Sequence, residues 1–466
     1  MNLRLTRRAR AGVAVALLAL SAGCRREPLP DVLLISLDTL RADCVWPAAG
    51  TSPDMPWLAG YAEGAVQFRA AQAPIAFTLP SHMTLFTGLR PLSHGVDEGR
   101  SLARAVVPMG ERLKALGYAT LGLQTNEWLK GDFGFARGFD RYEQLPHAPT
   151  YADRVRDAAL AGWPDAKDGA PRFVFLHFMD PHSDFFAVQH SPLPYFSPAE
   201  FRRDLGGAGE SREFCLESGG CATDYLLTGQ LNARGLEESR VRLAETLYRR
   251  GARYLDSQLA ELFAGLTARG LLENALVIIT SDHGEEFREH GRMLHSQVYD
   301  ESVHVPLIVR LPGRESVARI VDVAVGLEDL LPTVLELLGV PEGPEPLDGR
   351  SLVPLLQGER EWSPRPLLLE DKLTRSVFGL REGDLKLVSD LHNGDRKLFD
   401  LRADPGELRN IAAENPAALA ELSSALRSTL ARSRATASRS GAQKGQWEEI
   451  LTRDEIERLR SLGYVD

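Results

Sequence analysis

The sequence predicts an α/β fold: a central, mostly parallel sheet flanked by helices, followed by a smaller C-terminal α+β subdomain. Three observations carry that reading. Continuous apolar runs of strand length recur at 31–37, 119–123, 172–178, 275–280 and 306–311, as expected of strands buried on both faces of a parallel sheet. Helical stretches lie between them. The clearest places Tyr248, Ala252, Leu255, Leu259, Leu262 and Leu266 on one stripe, close to the 3.6-residue period of a packed helix. From Pro364 the pattern changes to short strand-like pieces at 376–381, 385–389 and 397–401, then helical pieces at 416–432 and 447–462. Alternating strand and helix argues for a parallel sheet, with chemistry at the carboxyl ends of its strands.

The larger domain, to which the chemistry is assigned, is expected at 30–363 and the subdomain at 364–466. The stretch 185–235 lacks periodicity and reads as a surface insertion that shapes specificity. Residues 433–444 are rich in Ser, Ala, Arg and Gly and read as flexible. The 466 residues suffice for a large core without disulfide staples. Lys and Arg number 54 against 64 Asp and Glu, a net charge of −10, which argues against a nucleic-acid partner. Four cysteines are too few for a disulfide scaffold, and their spacing fits no zinc ribbon. Cys44 reads as a buried thiol, and Cys215 and Cys221 could close a short loop.

Residues 1–24 differ from the rest. Arg4, Arg7, Arg8 and Arg10 precede an apolar run that ends at Ser21-Ala22-Gly23-Cys24. This reads as a secretory signal. The terminal Cys resembles a bacterial lipobox, with Cys24 acylated and the chain held at the membrane by lipid. Ser21 departs from that pattern, and a plain cleaved signal is the alternative. Either places the protein in the cell envelope or outside the cell.

Several polar residues follow the predicted strands: Asp38, Asp180, His182, Asp282 and His283. Carboxylate beside imidazole at a strand end is a metal-ligand arrangement. Taken singly, each is as well explained by a polar turn or a helix cap. Thr78 precedes an apolar helix expected to start near Pro80 or Ser81, where N–H groups and the dipole favour an anion.

In order along the chain these pieces resemble the sulfatase family of the alkaline phosphatase superfamily. The residues that carry the resemblance include Leu34 to Asp43, Pro80-Ser81 through Thr87-Gly88, and His94-Gly95-Val96. Further on come Asp282-His283-Gly284-Glu285, Glu289-His290-Gly291, Tyr299 to Ser302, Val305-Pro306-Leu307, Asp329 to Thr333, Asp348 to Leu352, Leu398 to Leu401 and Asp404-Pro405 with Glu407. The resemblance implies an alkaline-phosphatase-like sandwich and a metal-dependent ester hydrolase.

The departures from the family pattern are informative. Thr78 occupies the slot of the Cys or Ser that becomes formylglycine, and Thr cannot form that aldehyde. Thr is the nucleophile type of related phosphodiesterases and phospho-headgroup transferases. His82 stands where an Arg is usual, Thr39 where a second Asp is usual, and His295 where a Lys is common. Gln124-Thr125-Asn126 replaces a Lys-x-His stretch, and Asn126 is a candidate hydrogen-bond donor to the ester.

By resemblance one metal set is Asp38, Asp282, His283 and the Thr78 oxygen. A second is Asp180, His182 and His295. With a single ion, His182 and His295 would instead touch substrate. Imidazole with carboxylate favours zinc or manganese, with calcium as the alternative. His177 competes as a ligand, unless alternation along its strand sends it to the core. His94, His290 and His304 read as scaffold. The expected activity is cleavage of phosphate or sulfate esters on a small molecule, glycan or lipid by a Thr78 alkoxide. The alternatives are a headgroup transferase and a degenerate binding lipoprotein.

Overall fold

The computed structural model describes residues 28–146, 152–165, 169–183, 195, 198–201, 203, 236–313, 318–343, 347–359, 362–440 and 443–444. Cys24, Cys215, Cys221, most of the 185–235 insertion and the helix expected at 447–462 lie outside the described residues. No helix among the described residues is long and apolar enough to cross a membrane.

Nine strands form the main sheet. They are β1 (Asp31–Leu37), β2 (Val66–Gln72), β3 (Ala119–Gln124), β4 (Arg141–Gln144), β5 (Arg172–Phe178), β6 (Ala275–Thr280), β7 (His304–Arg310), β8 (Arg319–Val321) and β9 (Val325–Gly326). Their order is β8-β2-β7-β6-β1-β5-β3-β4, with β9 beside β2. Only β7 runs against the others, antiparallel to both β6 and β2. The run expected at 306–311 is this strand, and it begins two residues earlier, at His304. Strand β2 has no counterpart in the sequence reading, because Gln67 and Arg69 interrupt its apolar run.

Alternation along each strand splits the apolar residues between two layers. Leu34, Phe175 and Ile278 face one layer with Met83 and Phe86 of α1 (Thr78–Thr87). Leu33, Ile35, Leu176 and Ile279 face the other, with Leu255 and Leu259 of α2 (Glu238–Ala268). Burying each such side chain stabilises the fold by about 1.5–3 kcal/mol. Phe86 meets Phe175 edge-on at 4.9 Å, which fixes α1 against the sheet.

Helix α1 starts two residues before the expected Pro80. Proline is tolerated there because first-turn N–H groups have no partner within the helix. Gly88 ends the helix at φ 67°, a left-handed position that suits glycine.

The C-terminal subdomain is a four-stranded antiparallel sheet: β10 (Leu367–Glu370), β11 (Val377–Glu382), β12 (Leu385–Asp390) and β13 (Arg396–Asp400). Leu422, Leu426 and Leu430 of α3 (Pro416–Ser440) cover its Leu380, Leu387 and Leu398. The expected flexible stretch therefore starts too early: α3 continues through Ser433, which is buried, to Ser440. Its Ala, Arg and Ser residues are compatible with a helix once Leu426 and Leu430 are packed.

Candidate metal centre and active site

The apolar layer on the α1 side becomes polar at the carboxyl edge of the sheet. Ser36 of β1 sits between His177 of β5 and Thr280 of β6 in register. One step further, past the strand ends, lie Asp38, Asn126 and Asp282. The turn after β1 is strained: Thr39 has φ 58°, an outlying value for a β-branched residue. That turn lets the Thr39 N–H reach Asp282 Oδ1 at 3.2 Å. After β6 the chain passes so close to Glu301 that a Cβ on Gly284 would lie 2.1 Å from the Glu301 carbonyl oxygen. Only glycine fits there without movement.

Each carboxylate is held by one oxygen and leaves the other bare. Asp38 Oδ2 accepts from Asn126 Nδ2 at 2.9 Å and lies 3.0 Å from His177 Nε2. Asp282 Oδ1 accepts from the backbone N–H of Thr39 and of His283, the latter at 3.0 Å. His283 Nδ1 faces the Gly284 carbonyl at 3.0 Å, which makes Nδ1 the protonated nitrogen. The remaining atoms, Asp38 Oδ1, Asp282 Oδ2 and His283 Nε2, are buried and have no hydrogen-bond partner. They point at one another, 3.4 Å from Asp282 Oδ2 to His283 Nε2 and 4.0 Å from Asp38 Oδ1 to His283 Nε2. Each side chain offers one ligand atom within 4.8 Å of the others.

Three acceptors converging on one dry point make a cost that only a cation removes. The donor set of two carboxylates and one imidazole suits a divalent ion. Asn126, His177 and two backbone N–H groups supply the outer contacts that orient such ligands.

Helix α1 brings its first turn to this centre. Ser81 Oγ donates to the Asp282 carbonyl at 2.6 Å, and His82 Nδ1 lies 3.4 Å from Asp282 Oδ2. His82 also faces the Thr78 carbonyl at 2.9 Å and Ser36 Oγ at 2.8 Å. Thr78 is one turn before His82 on the same side of the helix. It is buried, and no side chain caps the helix ahead of it. Burial pushes His82 down to about 4, against the opposing pull of Asp282. Burial also pushes His177 to about 4. Both rings are therefore neutral at neutral pH and leave the carboxylate charge uncompensated.

A second row of imidazoles stands beside the first group. The His283 and His295 rings are 4.5 Å apart and those of His295 and His182 are 5.1 Å apart. Burial, then the neighbouring His283, His182 and Lys372, hold His295 well below the usual imidazole range. His295 Nδ1 lies 3.3 Å from Glu285 Oε1. Leu294, just before it, is held at φ 68°. The second expected ligand set does not assemble. Among the described residues only Asp38, Asp282 and His283 form a metal-ligand group, without Asp180, His182 or His295. The Asp180 charge also bears on Tyr254 of α2.

Two inner residues were not clear from the sequence. Strand alternation puts His177 on the same face as Phe173 and Phe175, which reads as core. That face is where Asp38 returns, so the ring becomes its partner. His82 is visible only as a substituted Arg. His94, His290 and His304 are scaffold in contact terms. His94 bonds within the Pro80–Val96 region, His290 joins Glu301 and the Glu407 carbonyl, and His304 meets the Arg69 carbonyl. Cys44 is a buried free thiol.

The chain is similar to known proteins. The sulfatase family profile matches residues 30–340, and the profile of the N-sulphoglucosamine sulphohydrolase C-terminal region matches residues 288–436. Arylsulfatase K of Bos taurus is 33% identical over 220 residues, 44% of this chain and 40% of the relative. The chain thus aligns with well under two thirds of the length of that relative. A phosphonate monoester hydrolase from Silicibacter pomeroyi shares the fold with a TM-score of 0.69, at 22% identity, covering 90% of this chain and 99% of that one. The protein called BT4656, solved with its substrate D-glucosamine-2-N,6-O-disulfate, gives a TM-score of 0.68 at 18% identity, covering 87% and 98%. Because the family match runs unbroken from before β1 to beyond β9 and takes in Asp38, Thr78, Asp282 and His283, the chain belongs to the sulfatase family.

Proposed function

We propose that the protein is a metal-dependent ester hydrolase that cleaves sulfate or phosphate monoesters or diesters, with Thr78 as nucleophile. The observation that carries this reading is the convergence of Asp38 Oδ1, Asp282 Oδ2 and His283 Nε2, each buried and unpartnered, beside the start of α1. A divalent cation held there would lower the pKa of a nearby hydroxyl and offset the charge of the ester. Zinc or manganese suits the donor set better than calcium.

The residues of the chain have separable roles. Thr78 Oγ forms the new bond to phosphorus or sulfur as the ester C–O oxygen departs with a proton. The uncapped first turn of α1 faces the charge that develops on the transferred group. His295 is buried beside His182, and this pair is the candidate to take up and return the proton of the reaction. Asn126 holds Asp38 and is the candidate hydrogen-bond donor to the ester. Water then breaks the Thr78 ester and regenerates the hydroxyl.

Sulfated substrates of the structural neighbour and the arylsulfatase K similarity support sulfate esters. A phosphonate monoesterase with the same fold and the alcohol nucleophile support phosphorus esters. The Arg-rich leader ending at Cys24 supports a lipid-anchored envelope protein.

The test is metal analysis of the purified chain, then turnover of aryl phosphate, aryl phosphodiester and aryl sulfate. Thr78→Ala should lose at least about 1,000-fold in kcat, in keeping with loss of an activated nucleophile, while binding Mn2+ as the parent does. Undiminished turnover by that variant rules out Thr78 as nucleophile.

A further inference from the structure

We infer that Lys372, from the C-terminal subdomain, is the cation that binds a non-bridging oxygen of the anionic ester. Two backbone tethers put it there. The Glu370 N–H donates to the Pro74 carbonyl at 2.8 Å, and Ile75 pairs with Glu370 as a parallel bridge. The segment so gripped leads into Phe77 and Thr78. Two residues on, the Lys372 N–H donates to the Ser296 carbonyl at 2.9 Å, one residue after His295. Lys372 thus spans the gap between the start of α1 and the row of imidazoles. Its ammonium lies over the Phe77 ring, 4.4 Å from the centroid. Asp371 Oδ1 accepts from the backbone N–H of Leu373 and of Thr374, which makes this turn rigid.

Burial draws Lys372 down to about 7, against the pull of Glu98, Glu285 and Glu286, and an anion bound beside it would favour the charged form. Lys372 is half-buried and borders a cavity of about 550 Å³ that also touches Phe77, Pro80, Val96, Glu98 and Phe378. A ligand can therefore reach the ammonium from outside.

This inference rests on the proposed hydrolase site, and one set of measurements separates the two. Lys372→Met and Lys372→Arg are made in the full chain. Inorganic phosphate and sulfate, and separately Mn2+, are titrated by calorimetry, and KM and kcat are measured on aryl esters. Loss of a charge-assisted contact predicts phosphate affinity about 10- to 100-fold weaker in Lys372→Met. KM should rise more than kcat falls, Mn2+ binding should be unchanged, and Lys372→Arg should recover most of the loss. Phosphate affinity equal to that of the parent overturns the inference, as does a parent that binds neither anion. Parallel loss of Mn2+ binding also overturns it, because the residue is then structural. If anion binding depends on Lys372 but no ester turns over, the hydrolase reading fails and the anion site stands.

Discussion

Two buried clusters of charge differ in how they are neutralised. At the subdomain boundary Lys386 is fully buried, its Nζ 2.9 Å from Asp300 Oδ1 and 3.0 Å from Glu407 Oε1. Arg381 lies 3.7 Å from Asp300. Burial alone would raise Asp300, but Lys386 and Arg381 carry it below the usual carboxylate range. Two carboxylates meet two cations there. At the strand ends Asp38 and Asp282 meet three imidazoles, of which His82 and His177 are neutral. The first cluster is internally balanced and joins catalytic domain to subdomain. The second carries negative charge that a bound cation would offset. Burial alone does not mark a functional site; burial without internal compensation does.

Replacing one member of each cluster should give opposite results. Lys386→Met leaves two carboxylates buried without their ammonium and should cost about 3–5 kcal/mol in denaturant unfolding. Asp282→Asn removes a charge that no Arg or Lys among the described residues pairs with. It should weaken Mn2+ binding by at least about 100-fold, beyond the usual loss from an outer contact, yet leave the ion-free protein as stable or more so. Destabilisation of the ion-free protein by Asp282→Asn, measured in the same urea titration, would show that the carboxylate is already compensated.

The smallest effect concerns pH and a buried ring away from both clusters. His94 accepts from the Val96 N–H at Nδ1 and is pushed by burial to about 3. Its folded pKa lies below the unfolded one, so the unfolded chain binds the extra proton. Stability is therefore retained above pH ~6.5 and lost as pH falls towards the folded pKa. Between pH 6.5 and 5 this ring should cost about 2 kcal/mol. His94→Gln should flatten that slope whatever it does to the absolute stability; an unchanged slope means the ring does not carry it.

Much of the fold was legible because buried parallel strands must be apolar on both faces. Runs 31–37, 172–178 and 275–280 coincide with β1, β5 and β6 for that reason. Strand β2 was not legible, since Gln67, Arg69 and Gln72 break its apolar run although only Arg69 is exposed. The candidate ligands Asp38, Asp282 and His283 could be named from strand ends and motif order. Asp180 follows a strand in the same way, yet its charge bears on α2. Sequence spacing carries no information about the direction of a side chain in a turn.

By itself the sequence determined the order of the elements, the family and the residue types at the strand ends, because apolar runs and local motifs are short-range properties. Tertiary structure alone decided which atoms are left without a partner. It decided that His177, open between ligand and core in the sequence, is a buried partner of Asp38, and it drew the ligand group as Asp38, Asp282 and His283. It also brought Lys372 beside His295, from a segment 77 residues further along the chain. Such facts depend on backbone contacts between distant segments, and on which hydrogen bonds remain unmade once the chain has closed.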